Sequence, residues 1–340
     1  MASSVARRIV LAARPKGKPQ PGDFRLEEMP IPTPGEGQVL LGVQYLSLDP
    51  YMRGRMDDRK SYVRPVQLGE VMAGENVAKV LASNNPKFAV GEFVTTQTGW
   101  LTHAVSDGTG MRKLDPKEAP VTTALGVLGM PGFTAYSGLY IIGKPKAGET
   151  VVVASASGPV GALVGQLAKI VGARAVGIAG GLAKCAYVKN ELNFDACIDH
   201  RAADMPAQLK EACPKGIDVY FENVGGAIWQ AVLPLLNKFA RVPVCGLIAQ
   251  YNDEKAPESK DRLPATMREI LTRSLTLRGF INFEFYDQFP KFRQEVSGLI
   301  AEGKVKYKED IVEGLEKAPE AFMGLLEGKN FGKLLIRVST

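Results

Sequence analysis

ETVVVASASGPVGALVGQLAKIVGARAVGIAGG, residues 149–181, is the stretch that decides the fold of this chain. Val151–Val153 form a β-branched apolar run, which is typical of a strand buried on both faces of a parallel sheet. After a turn of small residues, apolar residues recur on one helical face through 160–171, and 175–178 predicts the next strand. Strand, turn, helix and strand make a βαβ unit, whose turn can hold a pyrophosphate at the helix N-terminus.

The turn of this unit has the pattern A-x-G-x-x-G, with Ala156, Gly158 and Gly161 where the dinucleotide fingerprint has three glycines. Gly158 lets the backbone approach phosphates, and Gly161 lets the helix pack closely against the strand. Ala156 is acceptable at the first position only if it avoids a positive φ. The alternative is a tight turn that binds nothing, and the strand–helix–strand context favours nucleotide binding.

The end of the second strand indicates which nucleotide binds. An NAD site usually places an acidic residue there to hold the ribose 2′-hydroxyl. Residues 178–181 contain no acid, and Lys184 follows them. A lysine suits a 2′-phosphate, which an acid would repel. The alternative is that Lys184 is one of many solvated surface lysines. The missing acid therefore favours NADP(H).

Length and composition indicate a globular protein of two domains. The chain has 340 residues, of which 45% are hydrophobic and 23% are charged. No apolar run approaches the roughly 18–20 residues that cross a bilayer, and the N-terminus lacks the features of a secretory signal. The net charge is +6, but the basic residues are scattered, so we expect a small anionic ligand and neither nucleic acid nor a membrane as a partner.

Cysteine and histidine counts argue against a catalytic metal. The chain has four cysteines, none before position 185, and no C-x-x-C, so neither a disulfide framework nor a zinc ribbon is expected. With only two histidines, His103 and His200, the first domain cannot build a Cys/His zinc site. There is also no G-x-S-x-G motif for a serine nucleophile. We predict no metal and a reducing, cytoplasmic location, and we interpret His103 as an ordinary, partly buried residue.

The pattern along the chain predicts a β-rich first domain followed by alternating strands and helices. The first domain is rich in Gly, Pro and short alternating segments, with a first strand at 8–13, and a last strand at 333–338 returns to it. The predicted boundaries are 1–128 with 310–340 for this domain, and 129–309 for the other. Six strands of a doubly wound parallel sheet suit the order 3-2-1-4-5-6. The strands are predicted at 150–154, 175–179, 196–199, 217–222, 240–245 and 275–280, and further helices near 205–212, 227–236, 264–273 and 287–302.

Polar groups that could hold a carbonyl oxygen occur in two segments, LSLDPYMRGRM (46–56) and CGLIAQYN (245–252). Tyr251 follows the fifth strand, and the carboxyl ends of parallel strands are where ligands bind in such sheets. Tyr51 and Tyr251 could also be packing tyrosines. Arg53 and Arg55 are expected to hold the loop, and Asp49 to cap the turn before Pro50.

These motifs, together with MPGFTAYSGL (130–139), IDVYFENVGG (217–226) and GLLEGKNFGKLLIRV (324–338), resemble the zinc-independent medium-chain dehydrogenases/reductases. The branch is that of leukotriene B4 dehydrogenase/prostaglandin reductase, plant alkenal double-bond reductases and, nearest, bacterial curcumin reductase-like proteins. The resemblance runs from end to end. It implies a Rossmann domain inserted in a β-rich, GroES-like catalytic domain, and usually a homodimer. It also implies NADPH-dependent reduction of the C=C bond of α,β-unsaturated aldehydes or ketones.

The resemblance further implies site residues by motif. Tyr51 and Tyr251 would face the substrate, and His200 stands where many relatives have a tyrosine near the adenosine ribose or its phosphate. The remaining cofactor residues would be Ser155, Ala156, Ser157, Gly158, Pro159, Val160 and Gly161 at the pyrophosphate, Lys184 at the 2′-phosphate, and Asn223, Cys245, Gly246, Leu247, Ile248, Ala249, Gln250, Tyr251, Phe280, Ile281, Asn282 and Asn330 at the ribose and nicotinamide.

Our mechanistic hypothesis is hydride delivery to the β-carbon while charge develops on the carbonyl oxygen. Tyr251, with Tyr51 or a ribose hydroxyl, would donate hydrogen bonds to that oxygen, and water would protonate the α-carbon. Two alternatives stay open at this point. One is a zinc-independent NADPH quinone reductase, and the other is a non-catalytic protein that binds NADPH or single-stranded RNA.

Overall fold

A computed structural model of the protein describes residues 5–252 and 262–338. The chain divides into two compact units. The first unit comprises Met1–Leu125 and Glu309–Thr340, and the second comprises Gly126–Lys308. None of the helices in the described ranges is both long enough and apolar enough to cross a membrane.

Strands and helices alternate in the second unit, whereas strands predominate in the first. The strands are β1 Val5–Leu11, β2 Phe24–Pro30, β3 Val39–Ser47, β4 Asn76–Ser83, β5 Phe93–Thr96, β6 His103–Ser106, β7 Arg112–Leu114, β8 Thr150–Ala154, β9 Arg174–Ala179, β10 Ala196–Asp199, β11 Ile217–Phe221, β12 Leu236–Val244, β13 Thr276–Gly279, β14 Glu309–Glu313 and β15 Lys333–Arg337. The α-helices are α1 Met52–Arg55, α2 Met130–Ser137, α3 Pro159–Ile170, α4 Leu182–Asn190, α5 Met205–Ala212, α6 Gly226–Val232, α7 Leu263–Arg273, α8 Phe289–Ala301 and α9 Ala318–Leu326, and α2 continues as a π-helix over Gly138–Gly143.

The second unit is built on a six-stranded sheet in the order β10-β9-β8-β11-β12-β13, with every neighbouring pair parallel. This is the 3-2-1-4-5-6 order, so the predicted doubly wound parallel sheet is confirmed. All five residues of β8 are buried, because helices cover both faces of a central parallel strand. Val152 packs in one core with Leu209 of α5 and Val232 of α6.

Two features of this sheet differ from the sequence prediction. Strand β12 begins at Leu236 rather than at 240, and Phe239 within it has a φ of +65° beside a register shift against β11. That irregularity breaks the alternation by which a strand is recognised. Helix α4 was not predicted at all. Only Cys185 and Val188 are buried along it, so it has little amphipathic pattern.

The first unit contains a seven-stranded sheet in the order β14-β15-β3-β4-β5-β7, with β6 paired to β3, and a separate pair β1-β2. Strand β15 pairs with β3 in antiparallel register, with Leu335 opposite Ser47. The first strand runs over Val5–Leu11 rather than 8–13, and the sequence did not predict β2, β6, β7 or β14. The last three are five residues long or shorter, which leaves little alternation to detect.

The core of the first unit is centred on buried aromatic rings. Trp100 stacks on Phe24 with ring centroids 5.7 Å apart, and Phe322 of α9 meets Trp100 edge-on at 5.6 Å. Offset and edge-to-face rings such as these stabilise a core beyond their area of burial. His103 lies buried in β6 beside the Thr102 hydroxyl, and burial lowers the pKa of its imidazole, so it is the structural residue we predicted.

Candidate cofactor and substrate site

The turn between β8 and α3 satisfies the condition that the sequence set for Ala156. Ser155 takes the left-handed conformation, with a φ of +56°, whereas Ala156 is absent from the positive-φ residues of the described chain. Gly158 caps α3, and Pro159 occupies its first position. The first bond of the helix runs from the Ala162 N–H to the Gly158 oxygen. The preceding N–H groups therefore stand at the positive end of the helix, where an anion binds.

The two glycines of the turn, Gly158 and Gly161, have different structural roles. A Cβ at Gly161 would collide with the main-chain oxygen of Ser155 and lie 2.8 Å from the Cα of Ala156. A Cβ at Gly158 would lie 3.2 Å from the Ser155 hydroxyl and 3.3 Å from its main-chain oxygen. Gly161 is therefore required for the close packing of helix on turn, while Gly158 leaves the cradle open.

The turn after β9 is held by an acid from the next strand. The Asp199 carboxylate at the end of β10 accepts hydrogen bonds from the N–H of Gly181 at 2.9 Å and of Arg201 at 3.0 Å. These two bonds lower the pKa of Asp199, so it is an anion at neutral pH. The Asp199 charge is therefore balanced by backbone N–H groups. The bond to Gly181 also orders the start of α4, where Lys184 lies.

Arg201 is a candidate site residue that the sequence reasoning missed. A Cβ at Gly180 would lie 2.9 Å from His200 Nε2 and 3.4 Å from Arg201 Nη2. Burial and the nearby Arg201 cation lower the pKa of His200 against the smaller opposing effect of Asp199, and the Lys184 cation adds a still smaller lowering. His200 and Arg201 thus meet at one glycine turn, and Lys184 is near enough to act electrostatically on His200. The signal was available, because a basic residue directly follows a strand end at the ligand-binding edge.

The loops after β11 and β12 are joined to each other and to β8. The Asn223 amide donates to the oxygen of Ala154 at 2.8 Å. The N–H groups of Ile248 and Ala249 donate to the oxygens of Asn223 and Val224. The structure therefore gathers Asn223 and the 245–251 segment at the carboxyl edge of the sheet, next to the end of β8.

Glu222 holds this pair of loops together, and it too was missed by the sequence reasoning. One of its carboxylate oxygens accepts from the Tyr220 hydroxyl at 2.9 Å and from the N–H groups of Val224 at 2.7 Å and Gly225 at 2.9 Å. Its main-chain oxygen accepts from the N–H groups of Cys245 and Gly246. Burial raises the pKa of the carboxyl against these bonds. An acid within FENVGG was the only signal in the sequence.

The segment after β12 is compact and turns back on itself. The Tyr251 hydroxyl accepts from the Leu247 N–H at 3.4 Å and lies close to Gly246, where a Cβ would be 3.0 Å away. Burial, with the nearby Glu222, raises the pKa of the Cys245 thiol to about 12, which keeps it neutral. Gln250 is exposed, whereas Tyr251 is half-buried.

The segment after β13 contributes packing more than polar groups. Phe280 is buried and meets Phe221 edge-on, with ring centroids 6.2 Å apart. The Asn282 amide donates to the Thr134 hydroxyl at 3.3 Å, and Ile281 is half-buried. Phe280 therefore supports the edge of the sheet.

Tyr51 and Asn330 belong to the first unit. The Asn330 amide donates to the oxygen of Gly332 at 2.8 Å. Tyr51 begins the short helix α1, and burial with the nearby Asp49 and Glu75 carboxyls raises the pKa of its phenol well above the ordinary range. Tyr51 is consequently a neutral hydroxyl at all physiological pH values.

Asp49 has a different partner from the one we predicted. Its carboxylate forms an ion pair with Lys333 at 2.7 Å and accepts the Ser47 hydroxyl, and both ionic side chains are almost fully buried. Lys333 also donates to the oxygen of Leu48 at 3.0 Å. The side chain of Asp49 thus joins β15 to the end of β3, and only its main-chain oxygen serves the turn.

The two arginines of this segment hold the loop, as predicted. Arg53 pairs with Asp57 at 2.7 Å and donates to the oxygen of Gly17 at 2.8 Å. Arg55 donates to the oxygen of Val63 at 3.0 Å and lies over the ring of Tyr62. These structural contacts account for both arginine side chains.

Within residues 5–252 and 262–338, no group of three or more His, Cys, Asp or Glu side chains is arranged to hold a metal ion. The groups that could hold a dinucleotide are present in the second unit. They are an open cradle at a helix N-terminus, a cationic turn after the second strand, and loops after the fourth and fifth strands that are held together by the buried Glu222. A dinucleotide phosphate and the cationic turn are complementary in charge.

A parallel sheet of this order with a small-residue turn after its first strand, in a chain that also has a β-rich unit, is typical of the medium-chain dehydrogenase/reductase class. Residues 7–114 match the family model described as the N-terminal domain of oxidoreductase, and residues 159–298 match that described as zinc-binding dehydrogenase. The chain belongs to this family, in its zinc-independent branch.

Particular relatives define the branch. The chain is 53% identical over 334 residues to the NADPH-dependent curcumin reductase of Escherichia coli, covering 98% of this chain and 97% of that protein. It is 40% identical over 346 residues to the 2-alkenal reductase (NADP(+)-dependent) of Nicotiana tabacum, covering 100% and 99%. The crystal structure of CurA from Vibrio vulnificus in complex with NADPH superposes with a TM-score of 0.95 at 51% identity, covering 98% and 99%.

Proposed function

We propose that this protein is an NADPH-dependent reductase that saturates the C=C bond of α,β-unsaturated aldehydes and ketones. The observation that carries the proposal is its 53% identity, over nearly all of both chains, to an NADPH-dependent curcumin reductase. The cationic turn, in which Lys184 and Arg201 carry the positive charge beside His200, supports the phosphorylated cofactor, because that charge matches a 2′-phosphate.

The proposal assigns the cofactor mainly to the second unit, with Asn330 from the first, and the substrate to the first unit together with Tyr251. The domain boundaries at 128/129 and 309/310 stay predictions. In the second unit the Ser155–Gly161 turn would lie along the pyrophosphate and the cationic turn would hold the 2′-phosphate. Asn223 and the Cys245–Tyr251 segment, with Phe280–Asn282 and Asn330, would hold the ribose and nicotinamide.

When NADPH is bound, it would supply a hydride to the β-carbon of the substrate. The protein's part is to stabilise the charge that develops on the carbonyl oxygen. Tyr251 and Tyr51 are assigned as the hydrogen-bond donors to that oxygen. Preorganised donors aimed at a developing charge lower the barrier of the chemical step. The raised pKa of Tyr51 supports this assignment, since a hydroxyl that stays protonated remains a donor. Water is proposed as the proton source for the α-carbon.

The proposal is tested by following NADPH oxidation with a panel of enals, enones, dienones and quinones, and by identifying each product. We expect saturated aldehydes and ketones, in which the carbonyl is intact. Turnover of quinones without turnover of enones would replace the proposal with a quinone reductase. Tight NADPH binding with no turnover of any member would replace it with a non-catalytic role.

The catalytic assignment is tested by Tyr251→Phe. We expect kcat to fall by about 10–1000-fold with little change in NADPH affinity, because the lost group is a donor to the transition state. Tyr286→Phe is the matched control, since Tyr286 is an exposed tyrosine of the same unit stacked on Phe289. Equal kinetics in the two variants would remove Tyr251 from the role.

We also propose a homodimer formed through β13. This strand ends the sheet order, all four of its residues are exposed, and exposed apolar side chains of α7 form an i, i+4, i+8 stripe, namely Leu263, Met267 and Leu271. An open edge and an apolar helix stripe suit a second copy of this chain. Sedimentation should give twice the chain mass, and Leu271→Glu should halve it. A monomer in the unmodified protein would overturn the proposal.

A further inference from the structure

Arg55 lies within cation–π distance of two tyrosine rings in the first unit. It ends helix α1 four residues after Tyr51, so the two side chains stand on one face of that helix. Its guanidinium carbon is 5.6 Å from the centre of the Tyr51 ring and 4.6 Å from the centre of the Tyr62 ring. Because Arg55 is buried, water competes little with these contacts.

The same arginine ties down the chain at 57–66, which belongs to no helix or strand. Its side chain donates to the main-chain oxygen of Val63 at 3.0 Å, and its own main-chain oxygen accepts from the Val66 N–H at 2.9 Å. Arg14 adds an anchor by donating to the oxygen of Val66 at 3.1 Å. Buried arginines therefore hold the backbone of this segment in place of regular secondary structure.

Two side chains of the held segment expose apolar surface. Tyr62 is 52% exposed and Val63 is 45% exposed. Tyr51, which shares the Arg55 guanidinium with Tyr62, is half-buried and packs against the core of the unit. An exposed ring and an exposed aliphatic group, fixed next to a hydroxyl that is proposed to face the substrate, form a surface that an apolar group of a ligand can cover.

We propose that Arg55 is a positioning residue, which holds the Tyr51 ring and the Tyr62–Val63 surface in one arrangement. This inference rests on the proposed function, in which the Tyr51 hydroxyl donates to the carbonyl oxygen of the substrate. Because the two rings share one guanidinium, an enone whose carbonyl lies at Tyr51 can reach Tyr62 with a substituent of aryl size. The surface therefore favours enones with an aryl or extended apolar substituent over enones with a small one.

The anchoring is tested with trypsin, which needs no substrate. Arg59 and Lys60 are exposed within the held segment, whereas Arg64 precedes Pro65 and is not a trypsin site. Arg55→Met should speed cleavage after Arg59 and Lys60 by roughly 5–30-fold. That factor is expected when one cation–π contact and one hydrogen bond no longer oppose local opening.

Two further variants complete the trypsin experiment. Arg64→Met is the matched control, because it removes an exposed cation of the same segment, which pairs with Glu70, and it should be cleaved at the wild-type rate. Tyr62→Ala changes an exposed side chain that the fold does not need, and it should speed cleavage by roughly 2–5-fold. Wild-type rates in Tyr62→Ala, or in folded Arg55→Met, would overturn the anchoring.

The substrate preference is tested with two enones that differ only in the group on the β-carbon, 4-phenyl-3-buten-2-one and 3-penten-2-one. In Tyr62→Ala, the ratio of their kcat/KM values should fall by roughly 3–10-fold relative to the wild type, mainly through a higher KM for the phenyl compound. Arg55→Met should lower the same ratio. It should also lower kcat for both compounds by roughly 10-fold, because the Tyr51 hydroxyl is no longer held in place.

The ratio separates positioning from damage to the fold. Loss of folded protein lowers both rates equally, so a wild-type ratio in Arg55→Met or in Tyr62→Ala would overturn the preference. The double variant should have the ratio of Tyr62→Ala, because both changes remove one surface, and a further fall would overturn the shared arrangement. Reduction of neither enone by the wild type would overturn the proposed function and the preference with it, while the trypsin rates would still decide the anchoring.

Discussion

Among the described residues, charged side chains are buried more often in the first unit of the chain than in the second. In the second unit, the strand at the centre of the sheet is fully buried and uncharged, and the cations of the candidate site follow the ends of β9 and β10. In the first unit, charged residues stand within the sheet. Lys333 in β15 and Asp49 just past β3 are 2% and 4% exposed, and Glu309 lies in β14.

Solvated charges on loops and buried charges in a sheet differ in the free energy that they cost. A cation on a loop at a strand end is solvated until a ligand arrives, so it can recognise an anion at modest cost. A buried ion pair is costly to desolvate and is stabilising only while both partners remain. The charges compared here therefore have different roles: Lys184 and Arg201 are proposed to bind a phosphate, whereas the buried Asp49–Lys333 pair holds the end of β15 against the end of β3.

The largest effect expected from this comparison is that of Lys333→Met. Removing the ammonium leaves the Asp49 carboxylate buried without its ionic partner, so the free energy of unfolding should fall by about 3–5 kcal/mol. Urea denaturation measures it. Lys113→Met is the matched control in the same sheet, because the Lys113–Glu92 pair is exposed and should contribute about 0–1 kcal/mol.

A double variant tests whether the stability lost in Lys333→Met comes from the unpaired charge of Asp49. Asp49→Asn with Lys333→Met removes both charges, and the asparagine oxygen can still accept the Ser47 hydroxyl. We expect the double variant to recover part of the stability lost by Lys333→Met. A double variant less stable than Lys333→Met alone would show that the pair does not act through charge.

The corresponding stability test in the second unit is steric, and it uses Gly161→Ala. Its Cβ would meet backbone atoms of Ser155 and Ala156, so we expect a loss of about 1–3 kcal/mol in stability, as for other overpacked sites. Thermal unfolding and NADPH titration measure the result. Gly158→Ala is the matched control, with contacts of 3.2–3.3 Å and a φ of −81° that alanine accepts. Similar losses in both variants would contradict the distinct roles of the glycines.

The contrast between the units also explains what the sequence could predict. The apolar run of Val151–Val153 and the small-residue turn after it predicted the sheet and its order correctly, because buried parallel strands and their turns have local patterns. Helix α4 has no such pattern. The Asp49–Lys333 pair joins residues 284 apart in the chain, and Arg201 reaches the turn through the folding of β10 beside β9. Such contacts depend on tertiary structure, so a local pattern can at most mark a residue such as Arg201, which follows a strand end, as a candidate.

The charges inside the first unit should also give its stability a dependence on pH. Burial and the nearby Asp49 carboxylate raise the pKa of Glu75 to about 7, against the smaller opposing effects of Arg112 and Lys333. The folded state then binds more protons than the unfolded state between pH 4.5 and 7, so stability falls as pH rises through that window. Glu75→Gln should remove about 1–2 kcal/mol of this fall.

Urea denaturation at pH 5 and pH 8 measures the pH effect in the wild type and in the variant. Glu36→Gln, at an exposed position of the same unit, should keep the wild-type difference between the two pH values. If Glu75→Gln also kept it, the fall in stability would have to come from another group, such as Glu309, whose pKa burial also raises.

The smallest effect is expected at the cationic turn, where charge is used for binding. Lys184→Ala and Arg201→Ala should each raise the KM for NADPH about 10-fold and leave the KM for NADH nearly unchanged, because only NADPH carries the 2′-phosphate. Neither should change the unfolding free energy as Lys333→Met does. Lys189→Ala, an exposed lysine at the other end of α4, is the matched control for net charge. An equal rise for both cofactors would show that these cations hold the pyrophosphate or the fold rather than the 2′-phosphate, and an equal rise in Lys189→Ala would reduce their role to general electrostatic attraction.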